Sequence, residues 1–346
     1  MHKRLPIANP IISSTGVDAI MSVLCTDEKY NNYAINHYIQ LIFHGSARYT
    51  DVNIMLFADT YEAICPPIIK CPLFHSMLLT KELIKKHWRN LTDFIEEQVD
   101  DGFYCIQPLN TKHIKCSGNY GGFDFHHPML IFGYDRDKKT IDIADYFNDK
   151  SFSHYKVGYD EVNAAYNDWL MPFGEEPATC SFDHTVFVHK FSRTICFKLF
   201  EQIEYIAIDY EGIAQELSDY LSSTASRIEN YPFMHTFFYG ISCYDKLIEC
   251  VARDVLDYRM PFLYVDHKTL MKLRLEIFYE NGHIAGSMYD KLMIMNQDMI
   301  DQSMQIRNLF LKSKVVGKTS DRIIPLLADL KEKDKLFSAA LLECLP

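Results

Sequence analysis

Apolar residues are spaced in two ways along this chain. Up to about residue 200 they come in short runs between polar turns; beyond it they recur three and four apart over long stretches. In the first part, Val17 to Leu24 has helical spacing behind the N-capping residues Ser13, Ser14 and Thr15, and Cys25 ends that run. Tyr33 to Phe43 predicts a second amphipathic helix and Val52 to Phe57 a strand. Leu78 to Glu97 predicts a long helix, stopped by Asp100-Asp101-Gly102, and Phe103 to Pro108 another strand. Tyr159 to Trp169 reads as a helix and Thr185 to Phe191 alternates as a strand does. Later, Glu211 to Leu221, Cys243 to Tyr258, Thr269 to Glu280, Gly286 to Lys312 and Ser320 to Leu342 all predict helices, and strand signals nearly vanish. The expected fold class is α+β: an antiparallel sheet in residues 1–200, then a helical region over 201–346. No Pro/Gly linker marks the boundary near 195–212, so the two parts are expected to pack closely.

One stretch organises the first part. His126-His127-Pro128 opens an apolar run that Gly133 and Tyr134 end. The turn Asp135 to Lys139 reverses the chain, and Thr140 to Ala144 delivers Asp145. Two β-forming runs around a polar turn predict a hairpin. Neighbours on a strand face opposite ways, so His126 and His127 do not form a chelating pair, and Asp142 and Asp145 also diverge. A hairpin returns a carboxylate toward the histidine that began it, and a histidine oriented by an aspartate is two-thirds of a nucleophilic triad.

Charge and cysteine usage narrow the function. A net charge of −11 argues against a nucleic-acid protein. The basic stretches Lys81 to Arg89 and Lys312 to Lys318 read as solvated helix faces. Ten cysteines lie without CxxC pairing, so neither a zinc site nor a disulfide framework is expected, and a cytosolic location with reduced thiols is. No signal-peptide segment and no membrane-length apolar window occurs. Gly118 to Gly122 lacks the Lys-Ser/Thr of a phosphate loop.

The run His127 to Asp135, then Ile141 to Phe147, then Tyr159 to Tyr166, resembles the papain-like group that includes the butirosin-pathway acyltransferase. More diffuse likenesses lie at Asn36 to Leu41, Phe238 to Ile241 and Asp266 to Lys268. The resemblance implies a papain-like core and a Cys-His-Asp triad with His127 and Asp145. It implies acyl transfer in antibiotic or nonribosomal peptide biosynthesis, from a carrier-protein thioester through a cysteine to a small-molecule amine. No cofactor is implied; phosphopantetheine arrives on the carrier protein. The group places its cysteine at the start of the first helix, where this chain has none. Three positions therefore compete for the nucleophile. They are Cys25, a residue within 13–19, and a later cysteine such as Cys105 or Cys116. For the oxyanion, Asn9 and Gln107 are the amides considered. The rival expectations are a cysteine peptidase of the bacteriocin-processing type and a catalytically silent carrier-binding module.

Overall fold

The computed structural model describes residues 1–11, 18–45, 52–57, 71–147, 152–168, 193–226, 237–254 and 260–345. The chain divides into two compact units. One comprises Met1–Pro10, Asp18–Glu28 and Tyr61–Glu204, and the other Ile11–Val17, Lys29–Thr60 and Tyr205–Pro346. Against the division expected at 1–200 and 201–346, the segment Lys29–Thr60 groups with the C-terminal helices.

The first unit is built on an antiparallel sheet. Its strands are β1 (His2–Arg4), β4 (Phe74–Thr80), β5 (Tyr104–Asn110), β6 (His126–Asp135), β7 (Thr140–Asp145), β8 (Ser153–Gly158) and β9 (Arg193–Leu199). Their order is β4-β9-β5-β6-β7-β8, with β1 paired to the far end of β6. Among the described residues, the α-helices of this unit are α1 (Asp18–Leu24), α3 (Lys81–His87), α4 (Leu91–Asp100) and α5 (Tyr159–Asn167). Phe94, Ile95 and Val99 of α4 and Val162 and Ala165 of α5 share a core with Met129 and Ile131 of β6 and Ile143 of β7.

The long helix expected from Leu78 to Glu97 is three elements. Leu78 and Leu79 belong to β4, which pairs with β9 along its length. Thr80 then caps α3, accepting from the Leu83 N–H at 3.3 Å, and Asn90 caps α4, accepting from the Asp93 N–H at 2.8 Å. Two caps ten residues apart interrupt what apolar spacing alone reads as continuous. The strand expected at Thr185 to Phe191 lies outside the described residues.

The β6–β7 hairpin is present, but β6 runs on through Gly133 and Tyr134 to Asp135. Two features explain the extension. First, β1 supplies partners to the end of the strand, pairing Arg4 with Gly133 and Lys3 with Tyr134. Second, the register shifts between Ile131 and Gly133. This bulge at Phe132 keeps Ile131 and Tyr134 on the same core-facing side, opposite Ile143 and Ile141.

In the second unit, β2 (Gln40–Gly45) pairs antiparallel with β3 (Val52–Phe57) and with β10 (Phe237–Tyr239). Its helices are α2 (Asn31–Asn36), α6 (Tyr210–Ser222), α7 (Ser242–Ala252), α8 (Met260–Glu280), α9 (Gly286–Val316) and α10 (Ile323–Leu342). The helix expected over Tyr33 to Phe43 stops at Asn36, because Tyr38 adopts a φ of +61° and Gln40 begins β2. The fully buried Arg274 fixes that ending. Its guanidinium donates to the carbonyls of Ile35 (2.8 Å), Ala34 (3.1 Å) and His37, which are orphan acceptors of a helix C-terminus.

A second buried polar group binds α6, α7, α8 and α10 together. Lys268 pairs with Asp334, both at 0% exposure. The Asp334 carboxylate also accepts from Tyr220 (2.5 Å) and Tyr244 (2.8 Å). Lys268 donates to Nδ1 of His267 at 2.8 Å, and Nε2 of His267 donates to the Ile39 carbonyl at 2.9 Å. Both ring nitrogens are thereby committed, and burial with the adjacent ammonium lowers the His267 pKa to about 3. Among the described residues, no helix is long and apolar enough to cross a membrane.

Candidate active site

His127 and Asp145 meet at one end of the first unit's sheet. The register that pairs Leu130 with Ala144 puts Asp145 one step further along β7, diagonally across from His127. Both side chains therefore lie on the same face, and Nδ1 of His127 stands 2.9 Å from Oδ2 of Asp145. The second carboxylate oxygen accepts the Tyr146 N–H at 2.6 Å. The aspartate side chain is 4% exposed and that of the histidine 29%. A buried carboxylate thus fixes one nitrogen of a partly exposed ring, as the carboxylate that orients a general base does.

The neighbouring candidates diverge as the strand period requires. Asp142 is on the opposite face and pairs with Lys156 at 2.7 Å. His126 lies opposite Asn110 on β5, and burial holds its pKa below the usual histidine value. Around Asn110 lies a separate ionic cluster. Lys112 sits 2.5 Å from both Asp124 and Asp168, and His113 is 2.7 Å from Asp168. Hydrogen bonds from Lys112 and His113 lower the Asp168 pKa to about 2. These bonds tie down the two ends of the loop that connects β5 to β6. Among the described residues, no group of three or more His, Cys, Asp or Glu is placed to hold a metal ion.

The connecting loop ends in a row of rings. Phe123 and Phe125 lie 6.0 Å apart, and Phe125 is stacked on His127 at 5.9 Å with 29° between planes. The alternating Phe-Asp-Phe-His-His of residues 123–127 is the signal that, read alongside His127, would have pointed to this row.

The thiols separate by environment. Cys25 lies in the turn after α1, half-buried, with its N–H donating to the Met21 carbonyl at 2.8 Å. It is therefore at the C-terminal end of that helix, where the dipole opposes a thiolate. The next helical turn begins only at Glu28, so Cys25 does not open a helix. Cys105 is buried with its Sγ 3.5 Å from that of Cys196, and this contact and burial both raise its pKa. Cys116 is half-buried in the β5–β6 loop. Burial pushes its thiol up to about 11, with the charges of Glu161 and Asp145 adding to the rise. Residues 13–17 lie outside the described residues; Asp18 and Ala19, which are described, offer no nucleophilic thiol or hydroxyl.

Of the amides considered for the oxyanion, Gln107 is fully buried. Its Oε1 accepts from Thr194 at 2.6 Å and its Nε2 donates to the Pro108 carbonyl at 3.0 Å, so it is not directed at a substrate. Asn9 is exposed. Comparison of the sequence with models of known protein families, and with curated proteins, returns no match to either.

Proposed function

We propose that this chain is an acyltransferase with a papain-like core, moving an acyl group from a carrier-protein thioester through a thiol to an amine. The observation that supports this reading is the His127–Asp145 pair, a partly exposed imidazole oriented at 2.9 Å by a buried carboxylate. With Nδ1–H directed at Asp145, Nε2 is the basic nitrogen. It takes the proton of the thiol as sulfur attacks the thioester carbonyl. Collapse of the tetrahedral intermediate breaks the bond to the pantetheine sulfur, which leaves with that proton. In the second half, Nε2 takes a proton from the attacking amine and returns it to the departing cysteine sulfur. Exchanging one thioester for another is nearly isoenergetic and the amide is downhill from it, so the cycle draws on no ATP. The acyl-enzyme must be kept from water, which a partly buried site favours.

Two described thiols are candidates for the nucleophile. Cys25 is one of the three positions the sequence leaves in competition, although its helix end does not activate it. Cys116 lies within electrostatic reach of Asp145, and His127 must abstract its proton, since burial keeps the thiol protonated at neutral pH.

Mixing the protein with an acylated carrier protein tests the reading. Intact mass should show an acyl adduct, and peptide mapping should place it on one cysteine. His127→Ala should abolish amide formation. Full turnover by that variant would remove the role assigned to His127.

A further inference from the structure

The row of rings ending at His127 points to the kind of acyl group the site accepts. Exposure rises outward along it. The His127 side chain is 29% exposed, Phe125 46% and Phe123 71%, with Tyr120 at 55% on the same loop. Large aromatic side chains are ordinarily buried, and several on one short loop form an apolar patch that calls for an occupant.

The loop does not expose them for lack of structure. The Thr111 N–H and hydroxyl donate to the Phe125 carbonyl at 2.8 and 2.9 Å. The Asn119 amide donates to the Phe123 carbonyl at 2.8 Å and to the Thr111 hydroxyl at 2.9 Å. The Gly121 N–H donates to the Lys112 carbonyl at 2.9 Å. Asp124, between the two phenylalanines, is drawn to the other side by Lys112 and Asn110 (2.5 and 2.8 Å). The charged member of the stretch is held away, and the two rings are presented as a firm apolar ledge that runs onto the base.

Resting on the acyl-transfer reading, we propose that Phe125 and Phe123 are specificity-determining residues that bind the apolar body of the acyl group. The substrate class is then a medium-length aliphatic or an aromatic acyl group, as opposed to acetyl or a charged acyl. A thioester carbonyl within reach of His127 would leave its chain lying outward along the rings. The favourable contribution is the apolar surface that chain and ledge remove from water, augmented for an arene by ring–ring contact.

The experiment uses unreactive probes, so that binding is read apart from turnover. These are acetyl- and hexanoyl-pantetheine analogues in which a methylene replaces the thioester sulfur, titrated calorimetrically into the full chain. The hexanoyl analogue should bind on the order of ten-fold more tightly than the acetyl analogue. Phe123→Ser, which leaves the ring stacked on His127 in place, and Phe125→Ser should each bring that preference down to about two-fold or less. Equal binding of the two analogues by the wild-type protein, or a preference unchanged in both variants, overturns the proposal. Because no bond is made or broken here, failure of the ledge is distinguishable from failure of the acyl-transfer reading, which His127→Ala turnover decides.

Discussion

Gly133 lies so close to Lys3 that a Cβ on the glycine would stand 2.9 Å from the lysine carbonyl oxygen, with Asp142 Oδ2 at 3.0 Å on another side. Neither neighbour is free to withdraw. The carbonyl belongs to the backbone of β1, and the Asp142 side chain is held by Lys156 at 2.7 Å. Gly133→Ala should therefore destabilise the first unit by roughly 2–3 kcal/mol. Urea unfolding monitored on wild-type and variant proteins measures this, and a change near zero would mean that β1 yields.

On the proposed acyl-transfer reading, Asp145→Asn should reduce turnover nearly as much as His127→Ala. The amide N–H₂ can donate to Nδ1 of His127, which fixes the wrong tautomer and leaves Nε2 protonated. A fall on the order of 10³ in kcat is expected. The double variant with His127→Ala should be no slower than His127→Ala alone, since residues acting as a unit are not additive. Steady-state kinetics of the three proteins decides this; an Asp145→Asn enzyme within two-fold of wild type would strip Asp145 of its orienting role.

His267 should make the helical unit sensitive to acid. Its neutral form persists in the folded state down to about pH 3, whereas an ordinary histidine titrates near 6.5. The unfolded chain therefore binds the extra proton between these values. Stability is full above about pH 6.5 and falls as pH drops through that window, by about 1.4 kcal/mol per pH unit. Protonation would also displace the Lys268 ammonium from Nδ1 and set a second cation beside it. His267→Gln should flatten the difference between chemical unfolding at pH 6.5 and pH 5. Carboxylate titration is common to both proteins and cancels in the comparison.

The Lys268–Asp334 pair should behave as a coupled unit. Lys268→Met alone leaves a buried carboxylate with the Tyr220, Tyr244 and Ser338 hydroxyls but no countercharge and should cost roughly 3–5 kcal/mol. Asp334→Leu alone strands the ammonium to a similar extent. The double replacement should fall short of the sum by about 2 kcal/mol or more in a thermal or denaturant cycle, and strict additivity would contradict the contact.

The hairpin was legible because its signals are local. An apolar run, a charged turn and strand parity place His127 and Asp145 together with little help from the rest of the chain. Val52 to Phe57 was legible for the same reason, and the late helices by their spacing. What escaped depends on distant partners. β1 is a basic tripeptide, His2–Arg4, with no strand signal, and it exists because the end of β6 needs a neighbour. The apolar run after Asn36 continues a helical pattern, yet it becomes β2 because Arg274, far along the chain, takes the carbonyls that would have carried the helix on. Nothing local to Lys268 or Asp334 signals burial; they are buried because four helices meet around them. The nucleophile remained open for a different reason: the position that the family resemblance marks holds no cysteine.

The bulge at Phe132 divides β6 into two reading frames. In the first, odd-numbered residues face the core and include both Met129 and the catalytic candidate His127; in the second, the even-numbered Tyr134 does. The extra residue is the shift that lets one strand satisfy both. Removing Phe132 would leave every other side chain chemically intact. It would nonetheless force either the half bearing His127 or the half clasped by β1 to turn its core residues outward. A one-residue deletion there should therefore be far more harmful than any single substitution at the same position.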